Sequence, residues 1–454
     1  MHATAADPAE IIDLFPLSRR YRTAILLLTL ITVFDSFDLT LVGFLGAAIA
    51  KQNHFTYGQL SAIVIAAGAG GILGALAAGE LSDRFGRRSA VVLGTAICGL
   101  SSLGVLLVPN GAWRTLILLR FFVGVGIAAT AAPAMTLAVE YTPRRHRFLL
   151  ASLPVVGATG GALIATASIA GLIDTLGWRG LAALGFAPAL LGLTLCVVAP
   201  ESPPWLAARG RLEEARNAIA RLLNLPVEVI PFPTASRVSA PEHVPFREVF
   251  RDRRRALLTL TLWGGILMAD SGVYLWGPTM VAVALGTSAA TTAKIFMAIA
   301  LAGIFGKLCF AVLPRIVSRR RVNEIGCFGG AIALGAIVFF HSKEVAGLPA
   351  LVVLLVLGSV FFDGVIANLA PYTVEIYPTR LAARGYGLGQ AGNSAAKLLA
   401  PMALAMLTGT SGYVTNTPTA ASLGSCFAFL SASILLAGLA SLFFPLDPLG
   451  SHGY

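Results

Sequence analysis

The sequence predicts an all-α membrane protein with twelve transmembrane helices, arranged as two pseudo-symmetric bundles of six. Hydrophobic residues make up 56% of the 454 residues and charged residues only 12%, which excludes an ordinary soluble protein. The apolar residues fall into segments of about 20 residues, the length that crosses the hydrocarbon core of a bilayer. The second six segments repeat features of the first six, so we expect two bundles related by a duplication.

The predicted spans are joined by short connections except in the middle of the chain. In the first half they cover 23–48, 58–78, 89–108, 113–138, 148–171 and 179–199. In the second half they cover 257–283, 290–313, 323–341, 349–374, 385–408 and 421–444. These bounds predict a tail at 1–22, a bundle at 23–199, a linker at 200–256, a bundle at 257–444 and a tail at 445–454.

The distribution of positive charge predicts the orientation. Most of the 33 Lys and Arg lie between spans on one side, and the exceptions between spans are Lys51, Arg114, Arg179 and Lys343. Basic loops are retained in the cytoplasm, so we expect both termini there, in a multi-pass protein of the plasma membrane, the inner membrane in a bacterium. The net charge of +11 is then a topology signal and does not indicate a nucleic-acid partner.

The connection between the second and third spans carries the most specific motif of the chain. It reads Gly79-Glu80-Leu81-Ser82-Asp83-Arg84-Phe85-Gly86-Arg87-Arg88. An ordinary cytoplasmic loop would explain the arginines, but it would not explain the ordered aspartate and glycines. The motif resembles the G-x-L-x-D-R-x-G-R-R signature of the major facilitator superfamily at every fixed position. The resemblance implies a secondary transporter with the major facilitator fold, which exposes one site alternately to the two sides of the membrane.

The linker carries a second resemblance. It begins with Pro200-Glu201-Ser202-Pro203 and continues into an amphipathic pattern that predicts a surface helix ending at about Leu223. These motifs resemble the sugar-porter branch of the superfamily, which extends to carriers of organic cations and anions. The resemblance implies a cytoplasmic gate whose charged groups pair and separate as the halves rock. Its residues here are Asp83, Arg87, Arg88, Glu140, Arg144, Glu375 and Arg380.

Two aspartates lie three residues apart in the first span and share one helix face. A rise of about 1.5 Å per residue places Asp35 near the membrane centre and Asp38 beyond it. The run Asp35-Ser36-Phe37-Asp38 resembles the Asp-Gly-x-Asp of proton-coupled aromatic-acid symporters, with a serine in the place of the glycine. Arg120 in the fourth span lies at a depth that suits pairing with Asp38. We favour a proton-coupling site over a permanent structural ion pair, because a helix that only packed would avoid the cost of buried charge.

The second half also places charges near the membrane centre, at Asp270, Asp363 and Lys397. Asp363 and Lys397 pair across the tenth and eleventh spans in one interpretation. In the other, Lys397 receives a substrate carboxylate, and both interpretations stay open. Lys294 and Lys307 lie nearer the ends of the eighth span, so we expect them to snorkel to the interface.

Polar and aromatic side chains surround these charges. Spacings of three, four and seven residues place Gln390 and Asn393 on the same helix face as Lys397. The aromatic candidates for contact with a substrate ring are Tyr274, Trp276 and Phe362. Trp and Tyr also gather at membrane interfaces, so stacking and anchoring both stay open for the first two. The pair Gly277-Pro278 predicts a break in the seventh span.

The combined features predict proton-coupled symport of a small organic anion, an aromatic carboxylate or a related metabolite. We expect a functional monomer that interacts with lipid, protons and a small-molecule substrate. The chain has no phosphate-binding loop, and its five cysteines lie singly, so we expect no cofactor beyond the proton gradient, no metal and no enzymatic activity. The alternatives are a carrier or antiporter of organic cations or drugs, and a non-transporting membrane sensor.

Overall fold

The computed structural model describes residues 7–143, 153–233, 246–345, 347–408 and 420–446. In the first half a short helix precedes the membrane-spanning ones. The helices of this half are α1 Pro8–Asp13, α2 Arg19–Asn53, α3 Tyr57–Phe85, α4 Arg87–Gly104, α5 Trp113–Tyr141, α6 Leu153–Ala183 and α7 Ala187–Val198. Helix α6 bends sharply at Gly177, whose φ of 62° and ψ of 179° suit a residue without a Cβ. The bend separates two membrane passes.

The linker and the second half contain ten α-helices and one small hairpin among the described residues. The linker holds α8 Pro203–Ala208 and α9 Leu212–Leu223. The second half consists of α10 Arg253–Ser271, α11 Gly277–Leu285, α12 Ala289–Val312, α13 Arg319–Phe340, the strands β1 Glu344–Val345 and β2 Leu348–Pro349, α14 Ala350–Phe362, α15 Ile366–Ile376, α16 Thr379–Thr408 and α17 Ala420–Phe443.

Two of the predicted spans are interrupted. A π-helical turn, Gly272–Trp276, joins α10 to α11, so the seventh span departs from regular helix five residues before the predicted Gly277-Pro278 break. The tenth span is divided between α14 and α15, with Asp363 immediately after the end of α14. A chain inside a bilayer must satisfy its backbone polar groups internally, so irregular turns are tolerated there only where protein surrounds them.

The described helices account for twelve membrane passes. Ten stretches are long and apolar enough to cross a bilayer. One of them, Gly160–Val198, has 39 residues and contains the Gly177 bend, so it makes two passes. Helix α16 has 30 residues and carries polar side chains along its length, and it supplies the remaining pass. The fold is therefore an all-α membrane protein with two six-helix bundles.

Polar residues start several of the helices. Thr56 and Gln59 form a reciprocal capping box at the start of α3. Ser202 accepts a backbone hydrogen bond at the start of α8, Asp252 does so for α10, and Ser288 does so for α12. These caps satisfy amide groups that have no partner inside the helix. They fix where each helix begins relative to its loop.

The helices pack mainly within each half. Helix α2 packs on α6 and α3 packs on α5 in the first half, while α13 packs on α17 and α10 packs on α16 in the second. The halves meet where α3 packs on α16, where α6 packs on α12, and where α2 packs on the π-helical turn. We call the membrane face that carries residues 79–88 the signature face, and the opposite one the far face.

The halves are in contact toward the far face. A Cβ at Gly43 of α2 would lie 2.5 Å from the carbonyl oxygen of Tyr274, so only glycine permits this approach to the π-helical turn. The rings of Phe44 and Phe296 meet edge to face, with centroids 5.0 Å apart. The Ser61 hydroxyl donates across the interface to the Pro401 carbonyl, at 3.4 Å. The far face is therefore closed.

Candidate transport site

The first half buries an ion pair between α2 and α5. A guanidinium nitrogen of Arg120 lies 2.8 Å from Asp38 Oδ2, and the Ser102 hydroxyl donates to Asp38 Oδ1 at 3.2 Å. Asp38 is only 1% exposed. A Cβ at Gly185 would come within 2.6 Å of the same carboxylate, so this glycine makes room for it. The predicted pairing of Asp38 with Arg120 is present, and Ser102 is a partner that the sequence analysis missed.

Asp35 lies on the same face of α2 but has a different environment. Its carboxyl group is buried, and Oδ1 has no hydrogen-bond partner among the residues that the structure describes. Within the described part of the chain Asp35 takes part in no ion pair, and its resolved electrostatic neighbour is Asp38. The two predicted coupling aspartates are therefore unequal, since one is neutralised by an arginine and the other is not.

The second half holds a triad at the junction of α14 and α15, made of the buried Asp363 and the half-buried Lys307 and Tyr274. Lys307 Nζ of α12 lies 2.6 Å from Asp363 Oδ1, and the Tyr274 hydroxyl donates to Asp363 Oδ2 at 3.1 Å. A Cβ at Gly303 would overlap the Asp363 carboxylate, so α12 presents a glycine one turn before the lysine. Lys307 does not snorkel, and the predicted pairing of Asp363 with Lys397 is wrong, because α12 packs directly against α14 and α15.

Lys397 and Asp270 are the remaining charges of this region. Both are half-buried, and neither forms an ion pair or hydrogen bond with any residue that the structure describes. Asp270 interacts electrostatically with Asp363, Lys307 and Lys397. The backbone of Lys397 lies beside Gly68 of α3, where a Cβ would be 3.5 Å from the Lys397 carbonyl carbon. Lys397 is thus a charge at the contact between the halves.

A polar stripe follows one face of α16, as the spacing predicts. Gln390 donates to the Tyr386 hydroxyl at 2.7 Å, and Asn393 donates to Gln390 Oε1 at 3.1 Å. Asn393 Oδ1 is buried and has no partner among the described residues. The stripe continues to Lys397, one turn further along. A bound molecule here would meet an ammonium group and an unused amide oxygen, both held on one helix face.

The aromatic candidates divide into two groups. Tyr274 is half-buried, and its ring lies edge to face with that of Phe296, with centroids 6.5 Å apart. Trp276 is 1% exposed and Phe362 is 0% exposed, and both pack in the apolar core. Their rings are not available to a substrate in this conformation, because neighbouring apolar side chains cover them. The prediction of direct ring contacts is retained for Tyr274 alone.

The predicted gate residues form ion pairs within each half. Arg87, the first residue of α4, lies 3.0 Å from Asp83 in the last turn of α3 and 3.7 Å from Glu140 of α5. In the second half Arg319 pairs with Glu375 at 2.8 Å. Arg144 lies outside the described residues. Arg380 belongs to α16, but its side chain is likewise outside the described part, so neither predicted partnership of these arginines is tested.

Glu201 is a functional candidate that the sequence analysis missed. Its carboxylate accepts from the backbone amides of Arg88 at 2.9 Å and Ser89 at 3.3 Å, so it caps the start of α4 from the linker side. Arg88 in turn donates to the carbonyls of Cys196 and Ala199 at the end of α7. The Pro-Glu-Ser-Pro motif in the sequence pointed to this segment, but it did not predict which groups Glu201 contacts.

Two helical bundles in contact at one membrane face, with buried charges beside that contact, define a membrane transporter. The chain belongs to the Major Facilitator Superfamily, which matches residues 28–401. It is an integral multi-pass membrane protein that carries a small molecule, and it is not an enzyme.

The relatives and solved structures are similar over most of the chain. The niacin transporter NiaP of Acinetobacter baylyi is 28% identical, covering 87% of this chain and 89% of its own. The 4-hydroxybenzoate transporter PcaK of Pseudomonas putida is 29% identical, covering 85% and 87%. The gallate transporter of Pseudomonas putida is 28% identical, covering 85% and 86%. The inward open xylose transporter XylE from E. coli superposes with a TM-score of 0.74 at 18% identity, covering 95% of this chain and 98% of that chain.

Proposed function

We propose that this protein is a proton-coupled symporter that takes up an aromatic carboxylate by alternating access. The observation that carries the proposal is the Lys397 ammonium, which has no ion pair among the described residues and lies at the contact between the halves. Niacin, 4-hydroxybenzoate and gallate, which name three of the relatives, are all aromatic carboxylic acids. The carboxylate of such a substrate would be the ion-pair partner that Lys397 does not have among the described residues.

The proposed substrate contacts follow the stripe on α16. The carboxylate binds Lys397, because a charge-assisted hydrogen bond between these groups is stronger than one between neutral groups. The unused Asn393 oxygen and the Gln390 amide orient a hydroxyl group or a ring nitrogen. Tyr274 lies against the ring from the seventh span. A substrate without a negative charge would form no charge-assisted hydrogen bond with this ammonium group.

The proposed proton site is Asp35. An unpaired carboxylate at the membrane centre costs about 3 kcal/mol on insertion scales, so the neutral acid is favoured when Asp35 is occluded. Asp38 is held as the anion by Arg120 and Ser102. Protonation of Asp35 from one side and release to the other would couple the gradient to transport. No cofactor other than that gradient is needed.

The proposal also includes the orientation of the protein in the membrane. The signature face and both termini are cytoplasmic, in the inner membrane of a bacterium, and the far face is periplasmic. The structure then represents the inward-facing state, in which substrate and proton leave toward the signature face. One chain contains both candidate sites, so the functional unit is a monomer, and no nucleic acid is involved.

Uptake by purified protein in liposomes tests this function. Labelled nicotinate, 4-hydroxybenzoate and gallate are offered with an alkaline interior, and initial rates are compared with protein-free vesicles because weak acids also cross lipid unaided. We expect saturable uptake that is lost in Asp35→Asn. Asp174→Asn is the control, because that carboxylate is exposed in α6. Protein-dependent uptake of organic cations, with none of the carboxylates, would instead support the carrier in which Asp35 binds a cation.

A further inference from the structure

The second half contains a group of four charged residues, Lys307, Asp363, Lys397 and Asp270. Among the described residues, only the first two form an ion pair. Lys307 and Asp363 form an ion pair at 2.6 Å, and the Tyr274 hydroxyl adds a hydrogen bond to the same carboxylate. Lys397 and Asp270 interact electrostatically but make no ion pair or hydrogen bond with any described residue. Two lysines and two aspartates give a net charge of zero. The group is therefore balanced only while no other ion enters it.

We propose that Asp270 is a second proton-binding site, which takes up a proton when an anionic substrate binds Lys397. The inference rests on the proposed function, since it needs a carboxylate at Lys397. That carboxylate brings one negative charge into a neutral group in which Asp363 is buried and the other three residues are half-buried. A net charge in the membrane interior is costly, so its arrival favours uptake of one proton nearby.

The geometry identifies which carboxyl accepts this proton. Asp363 is stabilised as the anion by Lys307 and by the Tyr274 hydroxyl, because an opposite charge and a donated hydrogen bond both favour the charged form. Asp270 has neither kind of contact with the part of the chain that the structure describes, and its charged form depends on the attraction of Lys397 and Lys307 at longer range. The substrate carboxylate competes for Lys397 and removes part of that attraction. The ionisable groups that interact electrostatically with Asp270 are Lys307, Asp363, Lys397 and Tyr274, and Tyr274 is also hydrogen-bonded to Asp363.

The second proton site determines the net charge that moves in each transport cycle. In the outward-facing state one proton binds Asp35, a second binds Asp270, and the substrate anion binds Lys397. In the inward-facing state both protons and the anion leave, and the Asp270 anion again faces Lys397 for the return step. Two protons and one monoanion enter per cycle, so each cycle carries one net positive charge. A carrier that used Asp35 alone would be electroneutral for the same substrate.

A membrane potential without a pH gradient separates the two cases. Liposomes with equal pH on both sides receive a potassium diffusion potential of about 59 mV, negative inside, which drives about tenfold accumulation of one net positive charge. Labelled 4-hydroxybenzoate is the probe. We expect about tenfold accumulation by the wild type, and none by Asp270→Asn or Asp270→Ser. Exchange of labelled for unlabelled substrate at zero potential should persist in both variants, since it needs no net proton movement.

The outcomes distinguish the inference from the function on which it rests. Asp174→Asn serves as the matched control and should accumulate substrate as the wild type does. A wild type that responds to a pH gradient but not to the potential overturns the second site, while proton-coupled symport stands. Unchanged potential-driven accumulation in an exchanging Asp270→Asn protein also overturns it. Absence of protein-dependent transport of all three aromatic carboxylates under either gradient rejects the proposed function itself.

Discussion

Lys307 and Lys397 carry the same charge at the residue scale but have different surroundings. Lys307 contacts Asp363 directly, whereas Lys397 has no contact partner in the described part of the chain. A lysine already engaged by a carboxylate gains little from a second anion. We therefore assign Lys307 to holding the Asp363 junction together, and Lys397 to substrate recognition.

Lys397→Ala should lose substrate affinity. A hydrogen bond to a charged group contributes about 1.5–3 kcal/mol, so we expect the dissociation constant to rise about 10- to 100-fold. Lys397→Arg should restore affinity only in part, because a planar guanidinium and a compact ammonium differ in geometry. Equilibrium binding of labelled 4-hydroxybenzoate to purified protein measures both. Lys294→Ala is the matched control, since Lys294 is exposed at the start of α12, and wild-type affinity in Lys397→Ala would refute the contact.

Lys307→Ala should lower stability instead. Removal of one partner of a buried ion pair costs about 3–5 kcal/mol, because the other charge is left uncompensated. The double variant Lys307→Ala with Asp363→Ala should recover much of the loss. Thermal unfolding in detergent gives the comparison for the two single variants and the double. The combination Lys397→Ala with Asp363→Ala should show no such recovery, and recovery there would mean that the pairing is with Lys397.

Depth along a helix explains which residue contacts could be predicted from sequence. Arg120 and Asp38 lie in spans of known direction, so counting residues was enough to place them at compatible depths. The partner of Asp363 was not predictable in this way, because Lys307 and Lys397 are both within reach in depth. The choice depends on which helices are neighbours and on rotation about their axes. The Gly303 gap that admits Asp363 has no signal in the sequence pattern.

At the scale of elements, the π-helical turn Gly272–Trp276 joins two functions. Its Tyr274 side chain bonds Asp363, and its Tyr274 carbonyl lies against Gly43 of α2. A single extra residue per turn reorients the chain at this point, as π-helical turns in functional sites commonly do. The turn thus connects the charged group of the second half with the contact that closes the far face.

Gly43→Val should favour the conformation that is open at the far face. The added side chain would collide with the carbonyl oxygens of Tyr274 and Leu275, at 2.5 and 2.9 Å from its Cβ. We expect slower transport and faster labelling of Ser61→Cys by a membrane-impermeant thiol reagent added at the far face. Gly160→Val is the control, since a Cβ there meets nothing within 4 Å. Equal labelling rates with and without Gly43→Val would contradict the expectation.

The junction of α3 and α4, which carries the motif at residues 79–88, is the second element with a testable role. In this conformation Asp83 pairs with Arg87 and Arg87 lies near Glu140, so the charges stay within the first half. We expect these groups to exchange partners when the halves close at this face. Asp83→Asn should therefore slow translocation more than it weakens binding, and the comparison is initial uptake rate against equilibrium affinity. Near-normal flux by the Asp83→Asn protein in proteoliposomes would contradict this expectation.

For the whole molecule, the duplication and the number of passes could be predicted, but the conformation could not. In the alternating-access cycle that we propose, the same sequence forms both the inward-facing and the outward-facing states, so no residue pattern selects one. The contacts at Gly43, Phe44 and Ser61 reveal which face is closed here. Their role was hidden in the sequence, since small and aromatic residues are ordinary in any membrane helix.

A cross-link across the closed face should trap this state. A Cβ at Gly46 would lie 3.3 Å from the hydroxyl oxygen of Thr279, which is compatible with the spacing of a disulfide. We expect Gly46→Cys with Thr279→Cys to lose transport on oxidation and to regain it on reduction. Each single variant should be unaffected by the oxidant. A double variant that cross-links fully while transport continues would show that this contact does not open during the cycle.

The chemistry of the closed face has a consequence for where such a carrier works. The described contacts that close it are the packing of Gly43 against the Tyr274 backbone, the ring contact of Phe44 with Phe296, and the Ser61 hydrogen bond. None of these groups is charged. Dissolved salt shortens the reach of exposed charges from about 10 Å at 0.1 M to about 3 Å at 1 M, but it acts little on uncharged contacts. If the far face is periplasmic, the seal that meets fresh water, soil or brine is indifferent to the salinity of the habitat. In that proposed orientation the ion-paired residues of the signature face, Asp83, Arg87 and Glu140, lie on the side where the cell itself regulates its ions.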